Sequence, residues 1–146
     1  MQNYTEIKEC RVCHNKDLKT ILDLNMQPLA NNYHRGEEQE FFPLSINTCT
    51  ECFHVQLSVV VNPDIMFRNY LYVSGTSITL RQYFADFVKL CEEFSSSKTK
   101  KVLDIACNDG TQLDAFKEEG WETYGVDPAE NLYKISNNNH NVICDY

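Results

Sequence analysis

The chain has no long apolar run, no basic cluster and no internal repeat. A membrane-spanning helix needs about 20 consecutive apolar residues, and no stretch of the 146 residues approaches that. The opening MQNYTEIKEC is polar, so no signal peptide is expected there. Positive charge is scarce: 13 Lys and Arg face 21 Asp and Glu, for a net charge of −8. A general nucleic-acid binder needs a basic face, and this balance argues against one. An anionic ligand held by backbone amides stays compatible with it. The expectation is a soluble, cytoplasmic protein with neither a membrane nor a nucleic-acid partner.

Cysteine, by contrast, is plentiful. There are seven, an odd number, and in a reducing compartment they point to metal rather than disulfides. Two pairs share one spacing, Cys10-Arg11-Val12-Cys13 and Cys49-Thr50-Glu51-Cys52. Two thiolates on one tight turn can grip a cation, and two such turns complete a tetrahedron of the kind Zn²⁺ accepts. Iron fits the same four-sulfur cage, because sequence does not choose the metal. A redox dithiol is disfavoured, since no helical pattern follows either pair, and four unligated core thiols are the remaining reading. His14 and His54 flank the pairs and are read as neighbours of the site. Cys91, Cys107 and Cys144 are read as small buried residues.

Three segments follow from the patterning. In residues 1–62, NNYHRGEEQE is a polar loop and FHVQLSVVV a strand, with Phe53, Val55, Leu57 and Val59 alternating toward a core. Residues 63–98 hold the strongest helix, over Thr79 to Phe94. There Leu80, Phe84, Phe87, Val88, Cys91 and Phe94 share a face expected to pack, and Thr79 with Gln82 forms a capping box. SSSKTKK then reads as a polar linker. In residues 99–146, KVLDIAC is a strand, a helix runs from about Gln112 to Glu119, TYGVD is a second strand, and PAENLYKIS a helix with proline early in it. That order predicts parallel strands joined by crossover helices.

The turn in LDIACNDG places Asp104 at a strand end and Gly110 at the head of a helix. Such a turn lets backbone amides face a polar ligand, and Asn108 tolerates positive φ. Asp127 ends the next strand, where an acid commonly holds a ribose. The pair points to a nucleoside cofactor. The alternative is a turn that merely connects elements, with Asp127 capping the helix after Pro128.

The ordered set of CxxC, QPLANNYH, CxxC with HVQL, YLYVSGTS, VLDIACNDGTQL and GVDP resembles the S-adenosylmethionine-dependent C-methyltransferases that act on nucleotide-linked deoxysugars. The resemblance implies a zinc site at Cys10, Cys13, Cys49 and Cys52. It implies a cofactor site at Asp104, Ala106, Asn108, Gly110 and Asp127, with Asp127 on the ribose. It implies a sugar pocket bordered by Tyr70, Tyr72, Ser74 and Ser77, the tyrosines being candidates to stabilise an oxyanion. Two departures stand out: Ala106 replaces the first glycine of the turn, and Tyr83 stands where relatives tend to have histidine.

The expected fold class is therefore mixed, α+β to α/β. A small zinc-binding domain (1–62) and a helical connector carrying the tyrosine segment (63–98) precede the first β-α-β-α part of a Rossmann-like methyltransferase fold (99–146). The expected function is the N-terminal part of such an enzyme, inactive by itself because the later strands and the catalytic base lie in sequence it lacks. A nucleotide sugar and a second polypeptide supplying the remainder are the expected partners. A non-catalytic zinc module that docks a protein through FHVQLSVVV is the competing reading.

Overall fold

The computed structural model describes residues 3–30, 33, 39–95 and 99–146, in two compact units, 1–66 and 67–146. Most of the NNYHRGEEQE loop and the middle of the SSSKTKK linker lie outside the described residues.

In the first unit, β1 (Tyr4–Glu6) pairs antiparallel with β5 (Val59–Val61). A second sheet runs β2 (Leu18–Pro28), β3 (Phe41–Cys49), β4 (Val55–Leu57), all antiparallel. β2 carries register shifts, one of them beside Asn25, which takes a left-handed φ of 59° while its N–H bonds Asp23 Oδ1. Asn accepts that conformation at little cost, which suits it to a bulge. β3 ends at Cys49 and β2 begins at Leu18, its register partner, so the hairpin brings the two CxxC turns to one end of the sheet.

The strand expected over residues 53–61 is divided. Ser58 interrupts it, its N–H bonding Ser45 O and its hydroxyl bonding Ser45 Oγ at 2.6 Å. β4 therefore pairs with β3 and β5 with β1. The expected alternation fails as far as Leu57: Phe53, Val55 and Leu57 are exposed and Gln56 is buried, while Val59 is buried as expected. Gln56 turns inward because its carboxamide has a backbone to satisfy, accepting from Arg11 N and donating to Glu9 O. Among the described residues, the buried apolar set here is Cys10, Phe42, Cys49 and Val59. So small a core leaves a unit of this size dependent on another source of stability.

The division between units falls within the short helix α1 (Pro63–Phe67). In the second unit, α2 (Ile78–Phe94) leads to β6 (Lys101–Ile105), α3 (Thr111–Glu118), β7 (Glu122–Val126), α4 (Glu130–Ser136) and β8 (Asn141–Ile143). β6, β7 and β8 form a parallel sheet in sequence order. β8 is a third strand beyond the two expected, hidden behind the asparagine run. α4 starts after Pro128, with Ala129 as its N-cap, so the proline precedes the helix instead of occupying its first turn.

α2 is capped by Ser77, whose hydroxyl accepts from Leu80 N, and not by the expected Thr79–Gln82 box. Ser77 is extended (φ −97°), so Thr79 already lies inside the helix, and Gln82 bonds Asp86. Val88 is fully buried, and Phe87 meets Phe116 edge-on at 6.3 Å. Phe94, expected to pack, is exposed: it is the last residue of the helix, and Ser95 turns the chain extended. Cys107, Leu113 and Val142 form the core between sheet and helices. On the other face, Leu103, Ile105 and Ile143 are exposed.

Candidate functional site

Both CxxC turns have the same backbone. His14 N bonds Cys10 O as Phe53 N bonds Cys49 O, and Cys10 N bonds Asn15 O as Cys49 N bonds His54 O. The residue after each second cysteine, His14 and Phe53, is left-handed at φ 61°. All four sulfurs lie within 4.8 Å of one another, with Cys10–Cys52 at 3.6 Å and Cys13–Cys49 at 3.5 Å. A tetrahedron with zinc–sulfur bonds of about 2.3 Å has edges of about 3.8 Å, so one ion fits with small adjustment. His14 points away, pairing with Glu9 at 3.1 Å.

The thiols titrate unequally. The backbone N–H of Cys52 holds Cys49 down to about 6, and that of Cys13 lowers Cys10. For Cys13 the N–H of Asn15 pulls downward, but Cys52, burial and Cys49 outweigh it and hold the thiol at about 12. Four clustered sulfurs cannot all ionise without a cation. A divalent ion lets them do so and releases their protons. Cys10, Cys13, Cys49 and Cys52 thus make a four-cysteine zinc-binding site. Four sulfurs fill the tetrahedron and leave no position for a reacting water.

The second feature is the loop between β6 and α3. Ala106, Asn108 and Gly110 have φ of 68°, 53° and 86°. These left-handed residues turn the chain sharply, and the Cβ of Ala106 sits where the conformation favours glycine. Asp127, at the end of β7, is buried; its Oδ2 accepts from Asn108 N and its Oδ1 from Ala129 N, both at 2.8 Å. A carboxylate has about four acceptor positions, so Asp127 keeps capacity for a ligand hydroxyl. Asp104 bonds Gln112 Nε2, and burial, then the charge of Asp127, raises its pKa. Two carboxylates flanking one turn suit a ligand that brings positive charge. Cys107 is no nucleophile: burial, with Asp127 and Asp104, pushes its thiol up to about 12.

The tyrosine segment lies in the same unit. Tyr72 O accepts from Asn108 Nδ2, and Ser74 N donates to Asn108 Oδ1. Tyr70 is bracketed by Asn131 through both its N–H and its C=O. Ser77 uses its hydroxyl oxygen as the cap of α2. Tyr83 is exposed, stacked on Phe87 at 6.3 Å. Cys144 lies 3.8 Å from Pro128 O. Sequence reasoning missed Asp109, Asn131 and Gln56. Each acts through backbone groups distant in sequence, which no local pattern signals.

Residues 10–67 match a family of zinc-binding domains, and residues 79–145 match a methyltransferase domain family. The chain thus joins a zinc-binding-domain match to a methyltransferase-domain match. The C-methyltransferase NovU of Streptomyces niveus is 32% identical over 136 residues, covering 90% of this chain and 32% of NovU. An uncharacterized methyltransferase of Staphylococcus carnosus is 26% identical over 74 residues, covering 51% of this chain and 36% of that protein. The chain thus spans about a third of the length of these relatives. A SAM-dependent methyltransferase structure from Archaeoglobus fulgidus superposes with a TM-score of 0.38 at 30% identity, over 45% of this chain and 29% of that one. The zinc-binding match covers both cysteine pairs, and the methyltransferase match contains the turn from Asp104 to Gly110 together with Asp127. Among the described residues, no helix is long and apolar enough to cross a membrane.

Proposed function

We propose that the chain is the N-terminal part of an S-adenosylmethionine-dependent C-methyltransferase acting on a nucleotide-linked keto-deoxysugar. The observation that carries this reading is the similarity to the C-methyltransferase NovU, which runs through 90% of the chain and so through both units. The turn supports it. Asp127 accepts the ribose hydroxyls, the backbone of Ala106 to Gly110 lies along the methionine end, and Asp104 and Asp127 together favour a cationic ligand. When bound, S-adenosylmethionine supplies a methyl group made electrophilic by its sulfonium.

On this reading the sugar would lose the proton next to its carbonyl to a base, and the enolate carbon would take the methyl as the methyl's bond to sulfur breaks, with S-adenosylhomocysteine leaving. Tyr70 and Tyr72 border the sugar in this reading, and a phenol O–H donates to the enolate oxygen as charge develops there. On this reading the base is supplied by residues outside this chain, and the chain alone does not turn over. The exposed row Leu103, Ile105 and Ile143 agrees with a sheet that needs further packing, which a second polypeptide or later sequence would supply. The test is incubation of the 146-residue polypeptide with S-adenosylmethionine and a keto-sugar nucleotide. No product is expected, and methylated sugar would refute the division of labour.

A second reading, a zinc module that docks a protein, draws on the exposure of Phe53, Val55 and Leu57. It predicts metal-dependent folding with no binding of S-adenosylmethionine.

A further inference from the structure

The segment Tyr70 to Ser77 is held in place by side chains from elsewhere in the second unit. Asn108 bonds it twice, accepting from Ser74 N at 3.0 Å and donating to Tyr72 O at 3.0 Å. Asp109 Oδ2 accepts from Gly75 N at 3.0 Å, while its Oδ1 accepts from Thr111 N and Thr111 Oγ1 at the start of α3. Gly75 lies so close that an added Cβ would meet Thr111 Oγ1 at 2.5 Å and Asp109 Oδ2 at 2.6 Å. At the other end, Asn131 on α4 closes both backbone groups of Tyr70, at 2.9 and 2.8 Å. Glu130 N bonds Arg68 O. Arg81 Nε returns to Gly75 O.

Asn108 is the pivot. Its left-handed backbone (φ 53°) shapes the turn, and its N–H rests on Asp127 Oδ2. Its carboxamide holds the tyrosine segment. The same residue therefore meets the proposed ribose acid through its backbone and the proposed sugar segment through its side chain. We infer that Asn108, seconded by Asp109 and Asn131, is a positioning residue that couples the cofactor turn to the tyrosine segment. Order imposed on Asp127 and the turn is thereby passed to Tyr70 and Tyr72, and by reciprocity the segment stabilises the turn. The functional meaning of the two ends rests on the reading proposed above; the coupling does not.

Residue-resolved amide hydrogen exchange on the zinc-loaded 146-residue protein, without ligand, tests this. N108G keeps the left-handed backbone free of strain and deletes the carboxamide. It is expected to speed exchange at Ser74 by about tenfold, with the amides of Leu103 and Tyr124 accelerated less. N108D retains an acceptor and restores protection at Ser74. N131A does to Tyr70 what N108G does to Ser74. D127A removes no hydrogen bond to the segment, yet is expected to speed Ser74 as well; D127S serves if D127A does not fold. Unchanged Ser74 exchange in N108G, or equal acceleration in the sheet, overturns the positioning role. Unchanged Ser74 exchange in the Asp127 variant overturns the coupling. Because no ligand enters, failure of the protein to bind S-adenosylhomocysteine counts against the functional reading alone.

Discussion

Ala106→Gly is the sharpest single test of the turn's geometry. Ala106 sits at φ 68°, a conformation that costs an L-residue with a Cβ roughly 1–2 kcal/mol. Glycine removes that strain but gains freedom in the unfolded chain, which costs roughly 0.4–1 kcal/mol. The difference leaves a net stabilisation of about 0.5–1 kcal/mol. For a unit of this size, that raises the midpoint of thermal unfolding by roughly 2–8 °C. The chain's one tryptophan, Trp121, lies in the second unit, half-buried and edge-on to Phe116 at 5.3 Å. Its fluorescence therefore reports on that unit selectively. Asn108→Gly is the internal contrast. It also relieves a positive φ, but it deletes two hydrogen bonds to the tyrosine segment, and the balance turns to destabilisation. If Ala106→Gly lowers the midpoint, or if both substitutions act alike, the assignment of strain to Ala106 is wrong. The same substitution is expected to tighten S-adenosylmethionine binding, because the methyl no longer crowds the backbone's approach to the methionine end.

Three further outcomes are expected. Removing metal with a chelator unfolds the first unit, whose buried apolar set is so small, while Trp121 fluorescence changes little; circular dichroism and fluorescence followed together check this. Asp104→Asn stabilises the second unit at neutral pH and weakens cofactor binding. Burial raises the folded pKa of Asp104, so its ionisation as pH rises through that value opposes folding, and the amide never ionises. His140 works in the opposite sense. Its side chain is buried, Nε2–H donating to Asp114 and Nδ1 accepting from the Thr123 hydroxyl, and burial lowers its pKa below the usual 6.5. Its contribution is complete above about pH 6.5 and is lost as pH falls through the lowered value. Urea titrations across that range should show the second unit weakening on the acid side, and His140→Gln should flatten the slope.

The metal site was legible in the cysteine spacing alone, because two identical turns have one common use. The parallel βαβ order was legible for a similar reason: LDIACNDG and TYGVD are separated by one short helical pattern. What local pattern hid was set by contacts between distant residues. Gln56 faces inward because Glu9 and Arg11 offer it backbone partners, so alternation from Phe53 to Leu57 reversed its sense. Ser58 could divide that strand only because Ser45 stands opposite. β8 was masked by asparagines whose neighbour, His140, is buried by Thr123 and Asp114. Phe94 kept the helical period but had run past the elements that cover its neighbours.

Calorimetric titration of S-adenosylhomocysteine into the zinc-loaded protein, with Asp127→Ala alongside, tests the central claim most directly. Saturable binding at one site, lost in the variant, is expected. No heat of binding in the folded, metal-bound protein, or equal binding in Asp127→Ala, would contradict it.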